Sequence, residues 1–198
     1  MRLGVAAVAA LGVAACATPS SQSPARASLG QIFSSEAAVR HALGDLCLAS
    51  SAAGTPVASL AASPRAMTIE PVRNGGLATD QAWYAGAGVY LFAHAEGGCL
   101  VRATGGDAAT LGRTAETLLA QAGLAPGRRG PGGGGRMDRS MHCRVDARPT
   151  FALLSVARAG ARGTPPVQVS VGRLTDVGEE NCRPSGPYVR GSRAFDPQ

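Results

Sequence analysis

Three stretches in the second half of the chain constrain its fold most, because each is patterned like a β-strand. In "MHCRVDA" the residues Met141, Cys143 and Val145 alternate with polar ones, as in a half-buried strand. "TFALLSVARA" is nearly all apolar and is predicted to be central in a sheet. "PPVQVSVGRL" alternates valines with polar residues, and its prolines place its start at an edge or at the first strand position. Such short strands predict an antiparallel sheet.

Two longer segments have the spacing of helices. "SSEAAVRHALGDLCLAS" begins at an N-cap of Ser34 or Ser35 and turns Cys47 inward, and Gly54-Thr55-Pro56 ends it. "DAATLGRTAETLLAQAG" begins at the N-cap Asp107 and ends at Gly123. "PVASLAASP" is predicted to form only a short helical turn.

The remaining segments complete the predicted domain. "AMTIEPV" is predicted to be a short edge strand, and "AWYAGAGVYLFAHA" to be extended up to a turn at Glu96-Gly97-Gly98, where "CLVRA" completes a hairpin. Residues 126–136, rich in Gly, Pro and Arg, are predicted to be a mobile loop because they have no apolar periodicity. The predicted fold class is α+β, an antiparallel sheet with two main helices packed on one face and stapled by disulfides.

The N-terminus indicates export. Residues 3–15 form an uncharged run after Arg2, too short for a membrane-spanning helix of about 20 residues but long enough for the core of a signal peptide. The run ends in Val13-Ala14-Ala15-Cys16, which resembles the lipobox of bacterial lipoproteins. The resemblance implies that residues 1–15 are a signal peptide and that Cys16 carries a diacylglycerol and an acylated amine. The alternatives are an ordinary secretory signal cut near Ala-x-Ala, which leaves Cys16 free, and a disordered Ala-rich leader.

The predicted organisation has four parts. The signal peptide precedes residues 16–33, which are the lipidated Cys16 and a flexible tether of Ser, Pro and Ala. A single α+β domain covers residues 34–178, and residues 179–198 are an irregular tail pinned by Cys182. The residue after Cys16 is Ala17 and not an Asp, which by the same resemblance implies sorting to the outer membrane. The domain is expected to face the periplasm, and the alternative is that it faces the cell exterior.

Four cysteines remain when Cys16 is set aside, and an even number in an oxidising compartment predicts two disulfides. Three connectivities are open. We favour Cys47 with Cys99 and Cys143 with Cys182, because neighbouring segments most often neighbour in space. None of these cysteines has the C-x-x-C spacing of a zinc or redox site.

The basic charge does not indicate nucleic acid. The formal charge of +6 comes from scattered arginines, with no lysine and few aromatic residues, so the sequence has no basic stripe and no stacking platform for bases. We expect a solvated basic surface that tolerates anionic lipid or polysaccharide nearby.

No catalytic motif is recognisable, and "PGGGGR" lacks the Lys-Ser/Thr of a phosphate loop. His94 and His142 are weak candidates for a shared metal or acid–base site, since each lies on a strand near a carboxylate. Cys143 is a poor nucleophile candidate although it is next to His142. Adjacent strand residues point to opposite faces, so the two side chains would not form the hydrogen bond that activates a thiol. The aromatic residues of 83–92 are predicted to fill the core under the helices, the alternative being an exposed strip that stacks on glycans.

These observations predict a lipid-anchored cell-envelope protein with a structural or binding role, without catalysis and without a cofactor. Its predicted partners are the membrane, through the lipid on Cys16, and envelope proteins or glycans. The alternative is an envelope enzyme or metal-dependent module that uses His94 and His142. A third option, solute or signal sensing, rests on analogy between folds alone.

Overall fold

The structure is a computed structural model that describes residues 34–62, 70–71, 81–94, 97–146, 148–176 and 179–184. Within these ranges the chain forms helices and one eight-stranded antiparallel sheet. The predicted α+β class with an antiparallel sheet is therefore confirmed. The predicted signal peptide, Cys16 and the tether lie outside the described residues.

The first helical segment, called the leading helix, covers residues 35–53. It consists of α1 (Ser35–Val39), a π-helical stretch (Arg40–Leu48) and α2 (Ala49–Ala53). Ser34 is the N-cap, since its Oγ accepts a hydrogen bond of 3.2 Å from the backbone N–H of Ala37. The segment ends at Gly54, whose φ of 66° lies in the left-handed region that glycine adopts without strain.

Two further helices follow in the described part of the chain. Helix α3 (Val57–Ala61) packs against the leading helix. Helix α4 (Ala108–Gln121) begins at Asp107, whose carboxylate accepts a hydrogen bond of 2.8 Å from the backbone N–H of Thr110. The prediction of two main helices is thus incomplete, because α3 forms a full turn of helix beside the leading helix and α4.

The sheet consists of two four-stranded meanders, which are joined in the middle of the sheet by the pairing of β4 with β8. The first contains β1 (Glu70–Pro71), β2 (Gln81–Gly86), β3 (Val89–Ala93) and β4 (Cys99–Ala103). The second contains β5 (Ala125–Gly132), β6 (Met137–Arg144), β7 (Thr150–Ala157) and β8 (Val167–Arg173). The strand order is β1-β2-β3-β4-β8-β7-β6-β5, so β7 is central as predicted and β1 lies at an edge. The other residues of the predicted first strand are outside the described ranges.

The main core lies between the sheet and the helices. Alternate residues of β3, β4 and β8 point towards the leading helix and α4 and are fully buried, as are their partners on those helices. The opposite face carries a smaller cluster under residues 179–184. It is formed by Met141, Phe151, Leu153 and Leu174 together with the disulfide Cys143–Cys182. Val145 does not share the buried face predicted for it, since it follows the end of β6 and is 68% exposed.

The stretch predicted to be extended over residues 82–95 is divided by a turn. β2 and β3 pair with each other, and Ala87 and Gly88 connect them. Gly86, Ala87 and Gly88 all have positive φ, of 92°, 48° and 77°, which allows the chain to reverse within two residues. The sequence analysis was wrong here because it took an unbroken apolar run for one strand.

The prediction of a mobile loop at 126–136 was also wrong. Residues 125–132 are β5, which pairs with β6, and residues 133–136 make the turn between the two strands. A strand needs hydrogen-bonding partners for its backbone, but it does not need apolar side chains. β5 is also an edge strand, where Pro126 and Pro131 are tolerated. Gly127 also leaves room for the C-terminal residues, because a Cβ there would lie 2.8 Å from the carbonyl oxygen of Asn181.

Candidate functional site

A large cavity lies at the end of the sheet where β2 and β7 begin and β3 and β8 end. Its volume is about 630 Å³, and we call it the basal cavity. The end of the leading helix, the start of α3, and Gly97 and Gly98 before β4 close its other sides. A volume of this size falls in the range of about 300–1,000 Å³ that is usual for small-molecule sites.

The inner wall of the basal cavity is mainly aliphatic. Pro56, Val57 and Ala58 line it from the helical side, and Ala93 from the sheet. The disulfide Cys47–Cys99 closes the wall between them, since both cysteines line the cavity and are themselves buried. This wall favours a ligand whose main part is apolar over a ligand that is polar throughout.

The rim of the basal cavity is polar and basic. Arg148 and Arg173 are exposed cavity residues, and neither forms an ion pair with another described residue. Gln81 and His94 also line the cavity, and no Asp or Glu does so within the described ranges. Because two guanidinium groups line this rim and no carboxylate of the described residues does, the rim favours an anion.

Local structure holds Arg148 in position. Thr150, the first residue of β7, donates a hydrogen bond of 2.7 Å from its hydroxyl to the carbonyl oxygen of Arg148. The guanidinium then covers Gly54, where a Cβ would collide with the Arg148 Nη1 atom. The C-terminal end of a helix carries partial negative charge, which stabilises a cation placed there. Gly54 therefore both ends the leading helix and makes room for this side chain.

The two disulfides connect the pairs that the sequence analysis favoured. Cys47 in the leading helix is bonded to Cys99 at the start of β4, at a sequence separation of 52. Cys143 in β6 is bonded to Cys182, at a separation of 39. The first bond ties the helical layer to the sheet, and the second holds residues 179–184 against the opposite face. The rest of the predicted tail, residues 185–198, lies outside the described residues.

The structure does not bring His94 and His142 together. His142 lies on β6 and His94 directly follows β3, and β7, β8 and β4 run between these two strands. Four strand spacings separate them by about 19 Å. A shared metal or acid–base site of these two histidines is therefore excluded. No group of three or more metal-ligating side chains occurs in the parts of the chain that the structure describes.

His142 is not on an exposed face either. It is 4% exposed, and its Nε2 lies 3.0 Å from the Oγ of Ser140, which is also buried. Burial lowers the pKa of the His142 imidazole below its usual value; the nearby Glu116 opposes this shift and Arg129 adds to it. Ser140 borders a second cavity of about 430 Å³ that Glu116 also lines. A serine hydroxyl beside a neutral imidazole is a pairing that can activate a nucleophile.

The aromatic residues divide between the two faces of the sheet. Trp83 is in the core under the helices, as predicted, and is 9% exposed. Tyr84, Tyr90 and Phe92 lie on the opposite face, with ring centroids 5.2 Å and 6.4 Å apart in turn. The guanidinium of Arg102 lies 5.9 Å from the ring centre of Phe92. For these three rings the prediction of a core position under the helices was wrong, because period-two alternation sends neighbours to opposite faces.

Sequence reasoning missed the two arginines of the basal cavity and the serine beside His142. Arg148 and Arg173 are 25 positions apart in a chain with arginines throughout, so neither stands out. The signal that could have found Ser140 is its spacing of two from His142, which puts both side chains on one face of a strand. Among the described residues, no helix is long and apolar enough to cross a membrane.

Comparisons with known proteins give no relative for this chain: no protein-family model, no curated protein and no solved structure matches it.

Proposed function

We propose that this chain is a lipid-anchored domain of the bacterial cell envelope that binds a small molecule in its basal cavity. Cys16 would carry the lipid, residues 16–33 would act as the tether, and the domain would face the periplasm from the outer membrane. The observation that carries the binding role is the basal cavity itself, about 630 Å³ with an aliphatic wall and a polar rim. The proposal assigns no catalytic step and no cofactor to the chain.

Two features support the envelope location. The pairs Cys47–Cys99 and Cys143–Cys182 are at disulfide distance, and disulfides persist in oxidising compartments such as the periplasm. The sequence Val13-Ala14-Ala15-Cys16 resembles a lipobox, and the polar residues after it have the composition of a flexible tether. The fourteen residues 17–30 alone reach roughly 45 Å when extended, enough to keep a folded domain clear of lipid head groups.

The anchor is tested by the intact mass of the protein purified from its own membranes, with and without reduction and alkylation. We expect a chain that starts at Cys16, carries diacyl or triacyl lipid, and alkylates four cysteines only after reduction. The Cys16→Ser variant should lose the lipid and leave the membrane fraction, whereas Ser20→Ala, in the same tether, should not. An unlipidated wild-type chain with free thiols would overturn the proposal.

A second candidate function is an envelope enzyme, and one contact favours it. The Ser140 Oγ and His142 Nε2 atoms are 3.0 Å apart beside a cavity that Glu116 also lines. In this version His142 would work with Ser140 and not with His94. A fluorophosphonate probe tests it, because such probes label activated serines. Labelling that disappears in Ser140→Ala but persists in Ser155→Ala would support this function, and no labelling of the wild-type protein would remove it.

A further inference from the structure

We infer that the ligand of the basal cavity is a small amphiphile with one anionic head group, a carboxylate or a phosphate, on a short aliphatic body. This inference rests on the proposed binding function and adds the chemical class of the ligand. The head group would lie between Arg148 and Arg173 at the rim, and the aliphatic body would contact the wall beside the Cys47–Cys99 disulfide.

The charge of the rim determines the sign of the ligand. Arg148 and Arg173 are the only charged side chains that line the basal cavity among the described residues, apart from any charge on His94. The carboxylates paired with arginine elsewhere, such as Asp138 with Arg158, are not at this rim. An anion bound at this rim could accept charge-assisted hydrogen bonds from guanidinium groups that have no ion-pair partner among the described residues.

The rim is also organised before a ligand arrives. The backbone of Arg148 is held by Thr150, which pairs with Arg173 across β7 and β8. The Thr150 Oγ1 atom is also 3.3 Å from the Ser51 hydroxyl of α2, which connects the sheet to the leading helix at this point. These contacts fix the backbone from which the Arg148 side chain extends, so less conformational entropy is lost there when an anion binds.

The wall determines the body of the ligand. The apolar groups of the basal cavity are the aliphatic Pro56, Val57, Ala58 and Ala93 and the disulfide, and no Phe, Tyr or Trp side chain lines it within the described ranges. An aromatic ligand would find only the imidazole of His94, at the polar rim, to stack on, whereas an alkyl chain needs only the apolar contact that the wall supplies. The tyrosines of the opposite face belong to a different surface.

Calorimetric titration of the purified protein tests this inference, with octanoate, octyl phosphate, octanol, acetate and inorganic phosphate as probes. We expect octanoate or octyl phosphate to bind, and octanol, acetate and phosphate each to bind at least about tenfold more weakly, because each lacks one half of the ligand. A preference for octanoate indicates a fatty-acid-like source of the head group, and a preference for octyl phosphate a phospholipid-like one.

Three variants of equal charge change locate the site. Arg148→Gln and Arg173→Gln should each weaken binding of the charged probe about tenfold, the loss of one charge-assisted hydrogen bond. Arg162→Gln, an exposed arginine in the turn at the other end of β7 and β8, should not change it. Ala58→Phe keeps all charges and should weaken binding by filling the aliphatic part of the cavity. Thermal unfolding of each variant checks that it is folded.

The outcomes separate this inference from the proposed function. Equal binding of octanol and octanoate, with no effect of the two arginine variants, would overturn the anionic head group and leave a binding cavity in place. Binding of the charged probe that is lost equally in Arg162→Gln would show general attraction to a basic protein and would also overturn the inference. Binding of none of the probes would overturn it as well, while the lipid on Cys16 is decided independently by mass.

Discussion

Removal of the disulfide Cys47–Cys99 gives the sharpest test of how this fold is stabilised. The double variant Cys47→Ala, Cys99→Ala removes the bond without leaving a buried hydroxyl or thiol among the apolar residues around it, since both positions are buried in the main core. The matched variant Cys143→Ala, Cys182→Ala removes the other bond from the smaller cluster on the opposite face.

The size of the effect follows from loop closure in the unfolded chain. A cross-link that spans 52 residues removes entropy worth about 4.1 kcal/mol at 25 °C, and one that spans 39 residues about 3.9 kcal/mol. The folded state keeps its other contacts, so each double variant should lose about 4 kcal/mol of its free energy of unfolding. The two losses should be nearly equal, although one bond is central and the other holds the C-terminal residues.

Urea unfolding, followed by circular dichroism, measures both losses under oxidising conditions. The slope of the free energy against denaturant should rise in both variants, because a chain with fewer cross-links exposes more surface when it unfolds. Reduced wild-type protein should lose at least as much stability as either variant. A loss below about 1 kcal/mol for the Cys47–Cys99 variant would refute the entropy argument for this bond.

Three further outcomes are expected. Gly127→Ala should cost about 1–3 kcal/mol of stability in urea unfolding, because its Cβ meets the Asn181 carbonyl, whereas Gly105→Ala, with open space around it, should cost nothing; equal effects would contradict the packing at β5. The pKa of His142 is lower in the folded state than in the unfolded state. The neutral imidazole therefore contributes its full stabilisation above the unfolded pKa of about 6.5. As the pH falls below that value, the free energy of unfolding decreases by up to about 1.4 kcal/mol per pH unit. His142→Gln should remove this part of the pH dependence, and an unchanged slope between pH 5 and 6.5 would contradict it. Trp83, the one tryptophan, should be quenched by acrylamide more slowly than a free indole, and equal rates would contradict its place in the core.

The sequence predicted the elements whose signals are local. The caps at Ser34 and Asp107 and the end at Gly54 depend on residues a few positions apart, and the structure has each of them. The strands β7 and β8 followed from their own patterns, since alternation or continuous apolarity is visible in a single segment. The favoured disulfide pairs also agree with the structure, but their separations of 52 and 39 residues do not by themselves exclude the other two connectivities.

The predictions that failed depended on backbone pairing and burial that the side-chain pattern of one segment does not indicate. β5 has no apolar periodicity and is a strand because the edge of β6 supplies its hydrogen bonds. The turn at Ala87 and Gly88 divides an apolar run that looks continuous. His142 is buried and lies close enough to Glu116 of α4 for that carboxylate to affect its pKa, which no pattern around the residue indicates.

The sequence by itself determined the α+β class and the ends of the main helices, because hydrophobic period and capping are properties of short segments. For the cysteines it supported a preference, and the structure decided among the three connectivities. Only the tertiary structure decided the basal cavity. Arg148, Arg173 and the end of the leading helix come together there through the pairing of β7 with β8 and the packing of helix on sheet, and such contacts leave no pattern in any one segment.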